Sequence, residues 1–296
     1  LTMSNSKSLN NVADWAGAVY LAQHIHTYTT TSTNGTTVEV VVDTYNLTNC
    51  EFVNNSAVYN GGAICAGYDT VATGSMDNCT FLNNKAGYNG GAVANYFSNM
   101  TVNNSTFVNN NASNYGGAVY NTGLFNEDQI AEFDGNLTLK QNVFRNNHAK
   151  EGGAVNSNNT YANMEVTYSV FIDNQADIGN DIIYNGTLIN QYNWYGTNTP
   201  FTGDNKSNRV YSVKNGSYVS PETWVVMGLK INANSLHPGF TTSLTATLNE
   251  FYNKTSNVNN VLVDSIPTRT VLFLGQGSFN PSVNYINGVE SSVYTA

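Results

Sequence analysis

Apolar residues along this chain fall in short stretches separated by Asn- and Gly-rich turns, and no spacing of 3.6 persists for even three turns. That pattern predicts short strands joined by turns. Phe-x-x-Asn recurs as Phe52/Asn55, Phe81/Asn84, Phe107/Asn110, Phe144/Asn147 and Phe171/Asn174, with Phe-to-Phe spacings of 29, 26, 37 and 27 residues. A small-residue block follows each copy: Gly61-Gly62-Ala63-Ile64, Gly90-Gly91-Ala92-Val93, Gly116-Gly117-Ala118-Val119, Gly152-Gly153-Ala154-Val155 and the divergent Gly179-Asn180-Asp181-Ile182. A weaker copy, Leu9-Asn10-Asn11 with Gly17-Ala18-Val19, precedes them. Five residues before each Phe lies an apolar residue (Leu47, Met76, Val102, Leu139, Val166). Ile189 extends this series to Trp194, which is expected in the Phe position of a last rung. Two residues before each Phe come Cys50, Cys79, Ser105, Asn142 and Ser169, on the same strand face as the Phe.

A unit of about 26 residues with three short strands cannot bury its own apolar face, whereas stacking on its neighbours can. The expected fold is therefore all-β. Residues 1–203 are read as a right-handed parallel β-helix of about seven rungs, roughly 35 Å long at ~4.8 Å per rung. Phe52, Phe81, Phe107, Phe144 and Phe171 are the expected core stack. The Asn three residues on is expected to form an amide ladder, and the Gly pair to permit backbone geometry that a Cβ blocks.

Two insertions break the period, around His24 to Val38 and near Leu124 to Asp134. Such loops often carry partner contacts. The second holds Glu127, Asp128, Glu132 and Asp134, which lack the spacing of a Ca²⁺ loop and read as a solvated acidic segment. Beyond Asn193-Trp194-Tyr195-Gly196 the pattern changes, and residues 204–296 read as an immunoglobulin-like β-sandwich lacking its last strand.

Composition narrows the function. The 296 residues carry a net charge of −9, which disfavours nucleic acid and anionic lipid. Polarity comes from 50 Asn rather than from the 10% of charged residues, consistent with turns and stacked amides. The longest apolar run, Trp224 to Ile231, is too short to span a bilayer.

The paired Phe-x-x-Asn and Gly-Gly-Ala-Ile/Val blocks resemble the repeat of chlamydial polymorphic outer-membrane proteins. With Asn193-Trp194-Tyr195-Gly196 and Phe279-Asn280-Pro281, the layout is similar to the adhesin-like surface proteins of methanogenic archaea. That resemblance implies an extracellular, cell-surface location, with further modules or an anchor beyond Ala296. It also implies attachment to a glycan or protein of another cell. A self-assembling surface filament or surface-layer subunit is the alternative, and a polysaccharide lyase or hydrolase of the β-helix class is the second.

Candidate chemistry is sparse. Polysaccharide-cleaving β-helices need clustered carboxylates, often beside Arg or Lys. Here Asp173, Asp177 and Asp181 come from a single rung, and Arg145, Arg209 and Arg269 are scattered. His24-x-His26 lacks a third ligand, so no catalytic residue, metal site or cofactor is expected. Trp15, Tyr59, Tyr88 and Tyr115 precede the Gly blocks and form either a ladder covering the turn or a strip of ring faces for a ligand. Cys50 and Cys79 share a column and read as free thiols sooner than as a bonded pair. Fourteen Asn-x-Ser/Thr sequons include Asn34, Asn46, Asn99, Asn136, Asn185, Asn215 and Asn253, possible glycan acceptors where they lie in loops.

Overall fold

Each repeat contributes one short strand to each of several parallel sheets, and the sheets wind into a β-helix. The computed structural model describes residues 1–21, 28–32, 35–39, 43–67, 72–125, 132–201, 208–232, 240–267, 270–271, 278–279, 283–284 and 289–295. A seven-stranded parallel sheet runs from Thr2–Ser4 through Asp43–Thr48, Ala72–Asp77, Asn99–Asn103, Gly135–Lys140 and Ala162–Thr167 to Leu188–Gln191. A six-stranded sheet holds the Phe column, from Lys7–Leu9 to Val170–Ile172. A narrow four-stranded sheet follows it around the turn. An eight-stranded sheet then carries the residues after each Gly pair, from Val19–Leu21 to Val210–Ser212, with Ser217–Tyr218 added antiparallel. Its parallel stack thus takes a strand beyond residue 203, where sequence placed the end of the solenoid.

The pairing is in register throughout, so like residues stack on like. Phe52, Phe81, Phe107, Phe144 and Phe171 are fully buried, with ring centroids 4.6–5.0 Å apart and planes within 11°. The last ring is Tyr195, 5.4 Å from Phe171. Trp194 pairs with Val170 and so falls one position short of the Phe column that sequence assigned to it. The same one-residue shift puts Asn190, not Ile189, opposite Val166, and Ile189 is 51% exposed. A Tyr in the ring column and an Asn in the apolar column compensate each other: the Tyr195 hydroxyl donates to Asn190 Oδ1 at 2.7 Å. Burial pushes the Tyr195 phenol well above its ordinary value.

Beside the rings runs the Asn ladder. Asn55, Asn84, Asn110, Asn147 and Asn174 are buried. In each step, one Asn's backbone N–H and side-chain amide both donate to the next Asn's Oδ1 at 3.0–3.1 Å. Each amide's second hydrogen goes to a carbonyl of the preceding rung: that of Ser8 for Asn55, and that of the Phe for the other four, as from Asn110 to Phe81 at 3.0 Å. A second ladder uses the column two before Phe. Backbone N–H groups of Cys79, Ser105, Asn142 and Ser169 donate to the side-chain oxygens of Ser105, Asn142, Ser169 and Asn193.

The Phe strands are bracketed by residues in the left-handed region: Asn49 and Asn54, Asn78 and Asn83, Asn104 and Asn109, all with φ of 50–55°. Asn tolerates this region better than other residues with a Cβ, which accounts for much of the amide excess. The second Gly of each pair meets a different limit. A Cβ on Gly91 would lie 2.1 Å from the Gly117 carbonyl oxygen of the adjacent rung.

The C-terminal end of the stack is closed by the strand Thr223–Ile231. Val225 N–H donates to the Asn193 carbonyl, and Trp224 and Val226 join the β-helix core. Asn198, three residues after Tyr195, keeps the Phe-x-x-Asn spacing but turns its amide to the Met227 backbone, accepting at 2.6 Å and donating at 2.9 Å. That strand belongs to an antiparallel five-stranded sheet with Thr241–Asn253, Val258–Val261, Ser278–Phe279 and Val289–Thr295. This module also packs on the side of the β-helix. Val170, Trp194, Val225, Ala246, Leu248 and Ile266 form one buried cluster. Lys140 pairs with Asp264 at 2.9 Å, and Gln141 donates to the same carboxylate.

The Phe107→Ala variant is expected to lose about 3–5 kcal/mol of unfolding free energy in urea, because its neighbours above and below hold the cavity open. The Lys140–Asp264 bridge gives a pH signature. Lys140 holds the Asp264 carboxyl below its ordinary 3.8, so its contribution is present above that value and is lost as pH falls further. The Lys140 amine is held above its ordinary 10.5, so its contribution is present below that value and fades at higher pH. Asp264→Asn is expected to flatten the acid limb of a melting-temperature profile while leaving its shape at neutral pH unchanged.

Candidate functional site

Two outward surfaces of the β-helix carry repeated, chemically distinct side chains. On the seven-stranded sheet, register aligns Thr44, Thr73, Asn99, Asn136 and Asn163 in one column, and Asn46, Ser75, Thr101, Thr138 and Glu165 in the next. Strand alternation sends their neighbours Tyr45, Leu47, Met76, Val102 and Leu139 into the core. These two columns form a grid of hydroxyls and amides with a rung spacing of ~4.8 Å; the charged groups on this face of the described strands include Glu165 and, in the next column, Asp77 and Lys140. Asn136 donates to Asn99 at 2.7 Å and Asn163 to Asn136 at 3.1 Å. Among the described residues the hydroxyls of Thr73, Thr101 and Thr138 have no protein partner.

The second surface is the aromatic rim over the Gly turns. Trp15 lies 5.0 Å from Tyr59, and Tyr59 lies 5.7 Å from Tyr88, with planes inclined by 32° and 27°. Tyr59 and Tyr88 are 38% and 49% exposed. Ring faces within this run are therefore turned to one another, leaving edges and hydroxyls toward solvent. Tyr115 sits differently. Its strand position pairs with Asn89, one residue past Tyr88, and its ring stacks on Tyr120 at 6.2 Å. The four aromatics do not form one strip: three do, and Tyr115 joins the cluster of Tyr96, Phe97 and Tyr120.

The carboxylates are dispersed. Asp173 and Asp177 are exposed, while Asp181 is fully buried in the position that Ala154 holds one rung earlier. Asp181 accepts from Asn174 at 3.0 Å and from Arg209 at 2.8 Å. It therefore ends the Asn ladder, supplying the acceptor that a further Asn would have offered. Burial raises its carboxyl above the ordinary range, with Arg209 opposing. Among the described residues no group of three His, Cys, Asp or Glu is placed to hold a metal ion. His24 and His26 lie outside the described residues, as do Glu127 and Asp128 and the side chain of Glu132; Asp134 is exposed.

Cys50, Cys65 and Cys79 are buried free thiols, and burial pushes the Cys79 thiol up to about 11. Of the sequons, Asn34 lies outside the described residues. Asn46, Asn99 and Asn136 stand on the polar grid, and the Asn136 amide nitrogen is already committed to Asn99. Asn215 is exposed in the turn between Val210–Ser212 and Ser217–Tyr218. Asn185 donates weakly to the Asn158 carbonyl, and Asn253 accepts from the Ser256 N–H at the end of its strand.

Among the described residues no helix is long and apolar enough to cross a membrane. No curated protein and no solved structure gives a significant match to this chain. The repeat itself does match. Residues 49–67, 78–96 and 104–122 each fit the Chlamydia polymorphic membrane protein repeat. Every matched segment opens on a left-handed corner Asn (Asn49, Asn78 or Asn104) and runs through a strand of the eight-stranded sheet. Three successive rungs of this β-helix are therefore similar to the repeat of the Chlamydia polymorphic membrane proteins.

Proposed function

We propose that this chain is an extracellular, surface-displayed adhesin-like segment that attaches to a glycan or protein of another cell and carries out no catalytic turnover. The Thr/Asn grid of the seven-stranded sheet carries this reading. It offers unpaired hydroxyls at a fixed repeat on a rigid support, which suits an uncharged, hydroxyl-rich ligand. Individually weak contacts add when many are presented together. The repeat match supports display at a surface, because the matching family consists of membrane proteins. We read the C-terminal five-stranded sheet as part of an immunoglobulin-like module, and its contact with the last rungs suits it as a spacer.

The purified chain is expected to bind a subset of neutral glycans on an array or to bind intact cells. Thr101→Lys with Thr138→Lys is expected to reduce binding at least about tenfold, since two desolvated ammonium groups would be forced into the contact. Tyr59→Ala with Tyr88→Ala tests the aromatic rim on the same array. A panel of polysaccharides, with and without Ca²⁺, is expected to release no product. Absence of binding to any glycan or cell would refute attachment, and product release lost in Asp173→Asn or Asp177→Asn would replace it with an enzyme.

A further inference from the structure

The turn between Val210–Ser212 and Ser217–Tyr218 carries the sequon Asn215-Gly216-Ser217, and all three residues are exposed. The Asn215 backbone N–H donates to the Ser212 hydroxyl at 3.3 Å, and the Gly216 N–H to the Val213 carbonyl at 3.1 Å. Gly216 lies in the left-handed region at φ 59°, and a Cβ placed on it would meet no atom within 4 Å. Among the described residues the Asn215 side-chain amide and the Ser217 hydroxyl have no protein partner. No other described sequon combines these properties. The amides of Asn54, Asn78, Asn104 and Asn136 already donate to a side-chain oxygen of a neighbouring rung. Those of Asn158 and Asn185 donate to the Tyr120 hydroxyl and the Asn158 carbonyl, and that of Asn111 meets the His148 ring at 3.3 Å. Asn46, Asn99 and Asn103 lie in strands paired on both sides within the seven-stranded sheet. At Asn253 the sequon hydroxyl, Thr255 Oγ1, donates to Glu222 at 2.8 Å. Asn34 and Asn205 lie outside the described residues.

We propose that Asn215 is an N-glycosylation site, modified in the folded protein by a transferase that uses a lipid-linked oligosaccharide. In that step the amide nitrogen forms a bond to the anomeric carbon of the first sugar. The bond from that carbon to the donor's phosphate oxygen breaks, the phosphate leaves with the electron pair, and a base on the transferase takes one amide proton. The hydroxyl two residues on is the feature that the transferase recognises. A transferase must seat amide and hydroxyl together, so the sequon has to come away from its own hydrogen bonds. A strand paired on both sides does this only by opening the stack. Ser217–Tyr218 instead pairs with a single strand at the end of its sheet, and the turn before it is free. The fold thus selects one sequon from many that the sequence offers. The glycan grows from a different sheet from the one that carries the polar grid. Its attachment in the cell rests on the reading of the chain as surface-displayed, whereas the acceptor geometry does not.

Transfer to the purified, folded chain in vitro separates the two. The chain is incubated with a purified oligosaccharyltransferase and a lipid-linked oligosaccharide, and the occupancy of each sequon is read by peptide mass spectrometry. Occupancy at Asn215 is expected to exceed that at Asn78 and Asn104 by at least about tenfold, since those amides must first give up a hydrogen bond and the pairing around it. Ser217→Ala, with an unchanged urea midpoint, is expected to abolish transfer to Asn215. Synthetic peptides spanning the Asn78 and Asn215 sequons are expected to be modified to similar extents, because the fold and not the local sequence sets the difference. A folded chain left unmodified at Asn215 would overturn the proposal. So would equal occupancy of Asn78 or Asn104, or the same preference for Asn215 in the peptides. Absence of binding to glycans and cells would refute attachment alone and leave this site standing.

Discussion

The Asn ladder is the constraint on which the other columns depend. Its amide uses both hydrogens and both lone-pair directions: two donors reach the next Asn and the preceding rung's Phe carbonyl, and one oxygen receives two donors from the rung before. Asp at these positions would have no hydrogen to donate, and Gln would reach too far for a rung spacing of ~4.8 Å. Because the ladder runs in the dry interior, each unmade bond would carry its full desolvation cost of about 1–3 kcal/mol. Slipping one rung by one residue would orphan several such groups at once. The ladder thus fixes register, and register makes Phe stack on Phe and Gly on Gly.

A ladder needs ends. At the C-terminal end Asn174 finds Asp181 in place of another Asn, and Arg209 accompanies the charge thus buried. Asn198, which by spacing would have extended the ladder, instead imitates a strand backbone for Met227. The stack therefore terminates by changing the partner of an otherwise ordinary repeat residue. The Thr223–Ile231 strand closes the open core with Trp224.

The corner preceding each Phe shows how the module's position is written along the rungs. Asn49, Asn78 and Asn104 give way to Gln141, Tyr168 and Tyr192, all still at φ of 50–56°. A Tyr in the left-handed region costs on the order of 1–3 kcal/mol. Here it is offset by packing: Tyr168 stacks on Tyr192 at 5.1 Å, and Phe251 of the module meets Tyr192 edge-on at 4.7 Å. Gln141 reaches Asp264 and the Ser265 carbonyl. The corners facing solvent keep the residue that suits the backbone, and those facing the module take residues that suit the contact.

The repeat columns were legible because a periodic fold writes one environment many times. Phe52 to Phe171, the ladder Asn residues and the Gly pairs each identify themselves by recurrence, and recurrence alone implies stacking. Where recurrence fails, so does the reading. Counting five residues back from Trp194 gave Ile189, although Tyr195 and Asn190 hold those places, because a single polar substitution in each column concealed the register until their hydrogen bond was seen. Tyr115 looked like Tyr88 from its distance to a Gly, yet strand pairing moves it one residue along and turns its ring onto Tyr120. The burial of Asp181, the reversal of Asn198 and the packing of the module on the side of the β-helix arise from contacts between distant segments. By itself the sequence determined the repeat, its strand character and its interior. Only the tertiary structure decided how the stack ends and which outer faces remain open, because those depend on which non-repeating segment packs against which rung.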